Sequence, residues 1–513
     1  MSLAVRRALL SCADKAGLEA FAARLARLGI ELVASGGTAA HLARAGLQVR
    51  TIEAFAGITE QLDGRVKTLH PKIHAGILAR RDEPAHVQAV GAAGLIDLVV
   101  VNLYPFERTI ARAGASLGEA LEQIDIGGVA LLRAAAKNFP HVAVVCRPED
   151  YSCVAEALER GAGRLEDALS RELAVTAFHL TSAYDGAIGG YLAGADGVAA
   201  PAALPEAVSL ALRRRQVLRY GENPHQQAAW YAPADGPILR LAQVQGKELS
   251  YNNLLDVDAA LRCVREFEEP AAAVVKHRTL CGLACAAAPG DAYDRAHAGD
   301  PESAFGGAVG LNRPLDRALA ERLCATFLEV IVAPSVEPAA REILRAKANL
   351  RVLTVSWPPD GPAVECRQLS VGWLLQEPDR LGLDPATLRV ATARAPTDAE
   401  RGTLGFAWAA VKHVLSNGIV LAGGRATLGI GQGQPSRVGA VRLAIQQAGA
   451  RSRGAVAASD GFFPFQDGVE LLAKAGITAV IQPGGSIRDA EVSAAADAAG
   501  MAMLLTGVRH FRH

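Results

Sequence analysis

Lysine is scarce in this chain: nine lysines stand beside 44 arginines in 513 residues. The 53 basic residues are matched by 53 acidic ones. With no cationic surplus or basic stripe in either half, nucleic acid is not an expected partner. Aromatic residues make up only 5%. No apolar run reaches the roughly 18 residues needed to cross a bilayer. The opening MSLAVRRALLSCADK lacks the apolar core and cleavage site of a secretory signal. A soluble, cytoplasmic protein without a membrane partner is expected. Cysteine is sparse as well: Cys12, Cys146, Cys153, Cys263, Cys281, Cys285, Cys324 and Cys366 show no framework spacing. They read as reduced thiols, mostly packed as small hydrophobes. Low-complexity tracts are absent and half the residues are hydrophobic, which excludes wholesale disorder and, at about 150 residues per domain, points to roughly three globular units.

The shortage of lysine gives the remaining ammonium groups weight. Where guanidinium is the general supply of positive charge, a lysine marks a need for a compact point charge or a tunable proton. Seven of the nine, Lys15, Lys67, Lys72, Lys137, Lys247, Lys276 and Lys412, fall in unusual motif stretches. Survival at tolerant positions is the alternative for any one of them.

The chain opens as alternating strand and helix: RALLSCA, GLEAFAARLARLG, ELVAS, TAAHLARAG, then strands at IDLVVVNLY and HVAVVC. This is the pattern of a parallel α/β domain. The Ala, Gly and Pro-rich LAGADGVAAPAALPEA from Leu192 reads as a linker, ending the first domain near residue 195. A weaker boundary near 365 follows from SWPPDGPAVEC, so the expected domains are 1–195, 196–365 and 366–513.

Several stretches carry chemistry. Ser35, Gly36, Gly37 and Thr38 join a strand to a helix start, where free N–H groups, a hydroxyl and an unobstructed backbone suit a phosphate; a plain capped turn looks the same. Ser11 and Lys15, after the preceding strand, belong to the same sheet edge, where ligands gather. Asp63–His74, DGRVKTLHPKIH, brings Arg65, Lys67 and Lys72 together with His70 and His74; a solvated charge run is the alternative. Pro71 and the lack of carboxylate or thiolate neighbours argue against zinc there. Asp125 precedes Gly127 and Gly128 at a helix start, Lys137 follows on that helix, and Tyr104 ends a strand on the same edge. An N-capping Asp with a surface Lys is the plain reading of the first two. Arg219–Gln226 and Ser250–Asn253 are dense in amides and hydroxyls. Lys276 and His277 end a buried strand, with His277 available as a base. His277, Cys281 and Cys285 lack the Glu and Pro-Cys-x-x-Cys of a zinc deaminase, so no metal is expected. The glycine string from Gly429 does not match the dinucleotide fingerprint, so NAD is not expected either. Phe462, Phe463 and Phe465 beside Asp467 could sandwich a flat heterocycle, or simply pack in a core. Gly484 and Gly485 again link a strand to a helix.

Taken together, SGGTA, DGRVKTLHPKIHAGIL, NLYPF, QIDIGGVALLRAAAKN, RYGENPHQ, GKELSYNNLLD, DPESAFGG, KHVLSN, SDGFFPFQDGV, IQPGGSIRD and TGVRHFRH closely resemble the bifunctional AICAR transformylase/IMP cyclohydrolase family. The resemblance implies an α/β protein with an N-terminal parallel-sheet domain similar to methylglyoxal synthase, followed by two cytidine-deaminase-like α/β units without zinc. It implies purine-biosynthesis chemistry in two steps. AICAR takes a formyl group from 10-formyltetrahydrofolate to give FAICAR, which closes to IMP with loss of water. For ring closure it implies Lys67, Tyr104, Asp125 and Lys137 as catalytic residues, with Ser11, Lys15, Ser35, Gly36, Gly37, Thr38 and Arg65 on the nucleotide. For formyl transfer it implies Lys276, His277 as proton acceptor and Asn417. Arg219, Tyr220, Glu329, Arg437, Arg509 and His513 would hold the nucleotide there, and Phe462, Pro464, Asp467, Gly484 and Gly485 the folate. A homodimer is implied too. The chain departs from the family pattern at Thr279 and Leu280, where Asn-Pro is usual, at Ala13 in place of Ser, and at Gln432 and Pro435. A non-catalytic purine-nucleotide-binding regulator on the same scaffold is the competing reading, and a metal hydrolase using the His277 cluster a third.

Overall fold

The computed structural model describes residues 2–57, 61–62, 65–193, 204, 206–233, 240–357 and 364–513. The chain divides into two compact units, 1–211 and 212–513.

In the first unit the short apolar runs pair as a five-stranded sheet in the order Arg50–Thr51, Glu31–Ala34, Arg7–Cys12, Leu98–Asn102, Ala143–Val145. Every pairing is parallel, as the alternation of strand and helix requires. Leu9, Leu10, Val99, Val100 and Val144 are fully buried between the helical layers, each worth about 1.5–3 kcal/mol of removal from water. The register sets Cys12 opposite Asn102 and Leu10 opposite Ala34. The loops after these three strands therefore open on one edge. The boundary expected near 195 and most of the expected linker fall on 194–203, outside the described residues, while Leu192, where that linker was taken to begin, ends the helix Asp167–Leu192.

The second unit is built on one twelve-stranded sheet. Its first half runs Arg240–Gln245, Arg351–Ser356, Val330–Ala333, Ala308–Leu311, Ala271–Lys276, Thr279–Cys285. The other half continues Ala426–Gly431, Ile419–Gly423, Val456–Ser459, Ala479–Gln482, Ala502–Leu505, Arg389–Val390. Each half has a strand and a helix (Tyr251–Val264; Asp398–Val411), then a hairpin, then three strands mutually parallel and joined by helices. The chain has used one connectivity twice. The sequence break near 365 separates these halves, though both share the sheet, and the residues at 358–363 are not among those described.

The halves meet at Thr279–Cys285 and Ala426–Gly431, where the register is Ala284 opposite Ala426. Side chains splice this seam. The Thr427 hydroxyl accepts from Leu283 N at 2.9 Å and donates to Leu283 O at 3.3 Å, and Gln432 Nε2 donates to Leu280 O at 3.2 Å.

The strand directions bring Lys276, the chain entering Ala308, Val330 and Arg351, and the loops after Gly431, Ser459, Gln482 and Leu505 to one edge of the sheet. Two hairpins stand outside the sheet, Leu212–Val217 with Ala229–Pro233 and Glu365–Leu369 with Gly372–Gln376.

Candidate active sites

In the first unit, Ser35 caps the helix Gly36–Arg44 without using its side chain on that helix. Its hydroxyl lies 2.9 Å from that of Ser11. A Cβ added at Gly36 or Gly37 would meet nothing within 4 Å, so this helix start is open on its ligand side. Thr38 is buried, accepting from Cys12 N at 3.1 Å and donating to Cys12 O at 3.2 Å. It braces the loop rather than offering a free donor. Lys15 folds its ammonium onto the Cys12 and Ala13 carbonyls. Asn102 clamps Asp14 from both sides, accepting from its N–H at 2.8 Å and donating to its carbonyl at 2.9 Å.

The second cluster surrounds Asp125. Gly128 N donates to its Oδ1 at 2.6 Å, and the Tyr104 backbone N–H also reaches the carboxylate. Asp125 N in turn donates to the Tyr184 hydroxyl at 2.8 Å, which passes its own proton to Gln123 O. Burial pushes the Asp125 carboxyl above the ordinary aspartate range, and the two N–H donors only partly offset this. Burial likewise pushes the Tyr184 hydroxyl up to about 12, which keeps it a neutral donor. Thr68 packs so closely on the helix start that a Cβ at Gly127 would sit 2.4 Å from its hydroxyl. That contact seats the loop carrying Arg65 and the half-buried Lys67 against the helix start that follows Asp125, and Arg65 pairs with Glu122. The Tyr104 ring is exposed. Lys137 is not brought to this group. It is the exposed last residue of the helix Gly127–Lys137, about 15 Å along the axis from Gly127 at 1.5 Å per residue.

In the second unit, His277 and Arg278 form the turn between Ala271–Lys276 and Thr279–Cys285, both left-handed, with φ of 52° and 63°. Such angles are unusual for residues carrying a Cβ and cost about 1–3 kcal/mol each. Asp256, on the helix Tyr251–Val264, accepts from Arg278 N at 2.7 Å. Lys276 Nζ donates to Phe305 O at 2.6 Å. Glu329 pairs with the buried Arg351 at 2.6 Å, and its N–H reaches Gly307 O in the same loop cluster. Arg219 lies over the Tyr220 ring, 5.4 Å from its centre, and Tyr220 O accepts from Tyr251 N at the start of the helix that carries Asp256.

A cleft of about 450 Å³ opens on the same edge, lined by Asn417, Pro435, Ser436, Arg437, Val438, Phe462, Pro464, Phe465, Asp467 and Phe511. Asn417 Nδ2 donates to Gln434 O at 2.8 Å. Arg437 is buried against the fully buried Asp460, which also takes the Ser416 hydroxyl. Phe462 and Phe465 are exposed in the cleft, whereas Phe463 is wholly buried in the core, so of the three rings considered from sequence only two can face a ligand. Arg509 and His513 both pack on Phe511 at the cleft, 4.6 Å and 6.0 Å from its centre. Gly484 and Gly485 follow Ala479–Gln482 on this edge but do not line the cleft. The N–H groups of Gly485 and Ser486 are spent on Asp489, at 2.7 Å and 3.1 Å. Beneath the cleft, Glu266 takes both Lys412 at 3.1 Å and His413 at 3.0 Å. Burial raises its carboxyl, yet the bonds from these two partners outweigh it and hold it low, while burial lowers His413 in turn. Among the described residues no three His, Cys, Asp or Glu side chains gather to hold a metal ion.

Sequence reasoning missed Asn102, Thr68, Tyr184 and Asp256. An amide ending a strand was the one signal available for Asn102; the others act through contacts that no spacing foretells.

The fold and these two clusters define an α/β protein with one polar, cation-bearing sheet-edge site in each unit. The AICARFT/IMPCHase bienzyme family matches residues 135–447, and the MGS-like domain family matches residues 17–130. A bifunctional purine biosynthesis protein PurH of Cyanothece sp. is 50% identical over 99% of both chains. The protein of the same name from Shouchella clausii is 49% identical, over 99% of this chain and all of its own. A solved structure titled as that of ForH matches 37% of this chain and 98% of its own, at 37% identity and a TM-score of 0.34. The chain belongs to the AICARFT/IMPCHase bienzyme family. Nothing in these likenesses favours a non-catalytic regulator.

Proposed function

We propose that the chain transfers a formyl group from 10-formyltetrahydrofolate to AICAR in its second unit and closes the product FAICAR to IMP in its first. The observation that carries the reading is the cleft of about 450 Å³, whose lining combines Asn417, expected at the reacting centre, and Arg437, expected at the nucleotide, with Phe462, Pro464 and Asp467, expected at the folate. Exposed rings beside a carboxylate suit a flat heterocycle with amino groups. In formyl transfer the AICAR amine attacks the formyl carbon, His277 takes the amine proton, and Lys276 and Asn417 stabilise the oxygen that becomes negative before tetrahydrofolate leaves. Arg219, Tyr220, Glu329, Arg509 and His513 complete the nucleotide hold.

In ring closure the carboxamide nitrogen of FAICAR attacks the formyl carbon. Asp125, held by Gly128 and Tyr104, accepts the proton; Lys67 stands beside the developing oxyanion; water leaves. Ser11, Lys15, Ser35 and the open helix start at Gly36 and Gly37 take the phosphate, with Arg65 nearby. Lys137 is given no step, because its helix carries it away from Asp125. The scheme keeps domains at 1–195, 196–365 and 366–513. It also keeps the cytoplasm as the compartment and a homodimer as the assembly; the hairpin that leaves Val371, Trp373 and Leu374 exposed at 90%, 58% and 57% supports the homodimer. Among the described residues no helix is long and apolar enough to cross a membrane.

Incubation with AICAR and 10-formyltetrahydrofolate should yield IMP; FAICAR that accumulates without closing would refute the first-unit assignment. His277→Ala should abolish formyl transfer and spare closure, while Lys67→Ala should do the reverse.

A further inference from the structure

We infer that Asp256 is a positioning residue for formyl transfer, holding the His277–Arg278 turn in the left-handed form that fixes where the His277 imidazole stands. The inference rests on the reading of His277 as proton acceptor. Two-residue hairpin turns with positive φ at both central positions ordinarily use Asn, Asp or Gly, which tolerate that conformation. Here the chain places His and Arg, at φ 52° and 63°. The equivalent hairpin of the other half, closed by Gly423 opposite Ala426, turns through Gly424 and Arg425, and there only Gly424, at φ 59°, is left-handed. The same connectivity has thus solved its turn with glycine on one edge and with two bulky residues on the other.

What compensates is Asp256. Its carboxylate accepts from Arg278 N at 2.7 Å, and the His277 N–H lies close enough to favour its charged form, so a single side chain faces both N–H groups of the turn. Neither donor has a partner in the hairpin ladder, whose closing pair is Lys276 and Thr279. Burial raises the Asp256 carboxyl and the two donors oppose that rise, which ties the carboxylate to the turn it faces. Asp256 is carried on a helix that packs under the same strands, so the turn is anchored to the core rather than to solvent.

The test uses the full-length protein and the variants Asp256→Ala, Asp256→Asn, Arg278→Gly, the double variant Asp256→Ala with Arg278→Gly, and His277→Ala. Asp256→Ala should lower kcat for formyl transfer by about tenfold to a hundredfold, as a displaced catalytic group does. KM for AICAR should stay within about threefold, because uniform binding is untouched. Asp256→Asn, which keeps one acceptor oxygen, should fall between. Arg278→Gly in the Asp256→Ala background should restore kcat by roughly fivefold, since glycine adopts the turn without help. Ring closure of FAICAR, measured on the same preparations, should not change. If Asp256→Ala keeps kcat within about twofold of the parent, or if glycine at 278 restores nothing, the inference is overturned. If His277→Ala itself transfers formyl groups normally, the reading of His277 fails instead.

Discussion

Replacing Gly128 with alanine should disable ring closure while leaving formyl transfer intact. An added Cβ would stand 2.4 Å from Asp125 Oδ2, 2.8 Å from its Cγ and 2.9 Å from Oδ1, distances no methyl tolerates. Gly128 lies inside the helix Gly127–Lys137 and its φ is not positive, so alanine fits the backbone and even favours the helix by up to about 1 kcal/mol. The carboxylate must therefore yield rather than the helix. Yielding breaks the 2.6 Å bond from Gly128 N, a charge-assisted contact worth about 1.5–3 kcal/mol, and moves the proposed base by a substantial fraction of an ångström. A displacement of that order costs roughly a hundredfold in rate. The assay is the rate of IMP formation from FAICAR, with formyl transfer and thermal melting on the same protein. A Gly128→Ala protein that closes FAICAR within about threefold of the parent rate would refute the argument that Asp125 acts from this seat.

Gly37→Ala is the counterpart. Nothing lies within 4 Å of its added Cβ, so Tm should hold or rise, while KM for FAICAR should climb about tenfold if phosphate approaches that backbone; calorimetry and kinetics separate the two. Because burial raises the Asp125 carboxyl, the acid limb of the closure rate should sit above the ordinary aspartate range. The same shift means the folded unit binds an extra proton in that window, so stability should fall as pH rises through it, and Asp125→Asn should flatten the trend in urea titrations. Glu400 behaves oppositely. Its bidentate bond from Arg394 holds the carboxyl down to about 2, so its contribution is present above the unfolded value and is lost as pH falls toward 2. Solvent on the Arg394 side limits the cost of Glu400→Gln to about 1 kcal/mol near neutrality, narrowing on acidification. Phe462→Ala and Asp467→Asn should each raise KM for the folate about tenfold with KM for AICAR unchanged; the reverse pattern would reassign the cleft.

Periodicity was enough to read the parallel first sheet, because RALLSC, ELVA and LVVVN are continuous apolar runs that only a doubly covered strand needs. The glycine and cation loops were readable for a similar reason: helix starts beside strand ends have few other uses. The duplicated second sheet was not readable from periodicity, and two α/β units were expected there only through the family resemblance. Its two halves share connectivity but little local pattern, and strands such as Ala479–Gln482 are four residues long, too short to carry a period. Lys137 shows a limit of motif reading, because sequence places it on the same helix as the Gly127–Gly128 start but says nothing of the length that separates the two ends. Asp256 was invisible because its meaning depends on two backbone dihedrals in a different strand pair. Gly484 and Gly485 were legible as a strand-to-helix link, but not that the N–H groups of Gly485 and Ser486 are taken by Asp489.

The seam through the second sheet has a mechanical consequence. Most of a sheet is a rigid sheet of paper, but here two pages are stitched by a threonine hydroxyl and a glutamine amide. His277 is printed on one page and Asn417 on the other, so the spacing between proton acceptor and oxyanion partner is held by whatever binds the pages: these stitches, the pair Glu266–Lys412, the pair Glu269–Arg425 and a core that runs across both. Thr427, buried at the seam and bonded to both backbone groups of Leu283, belongs to neither page alone.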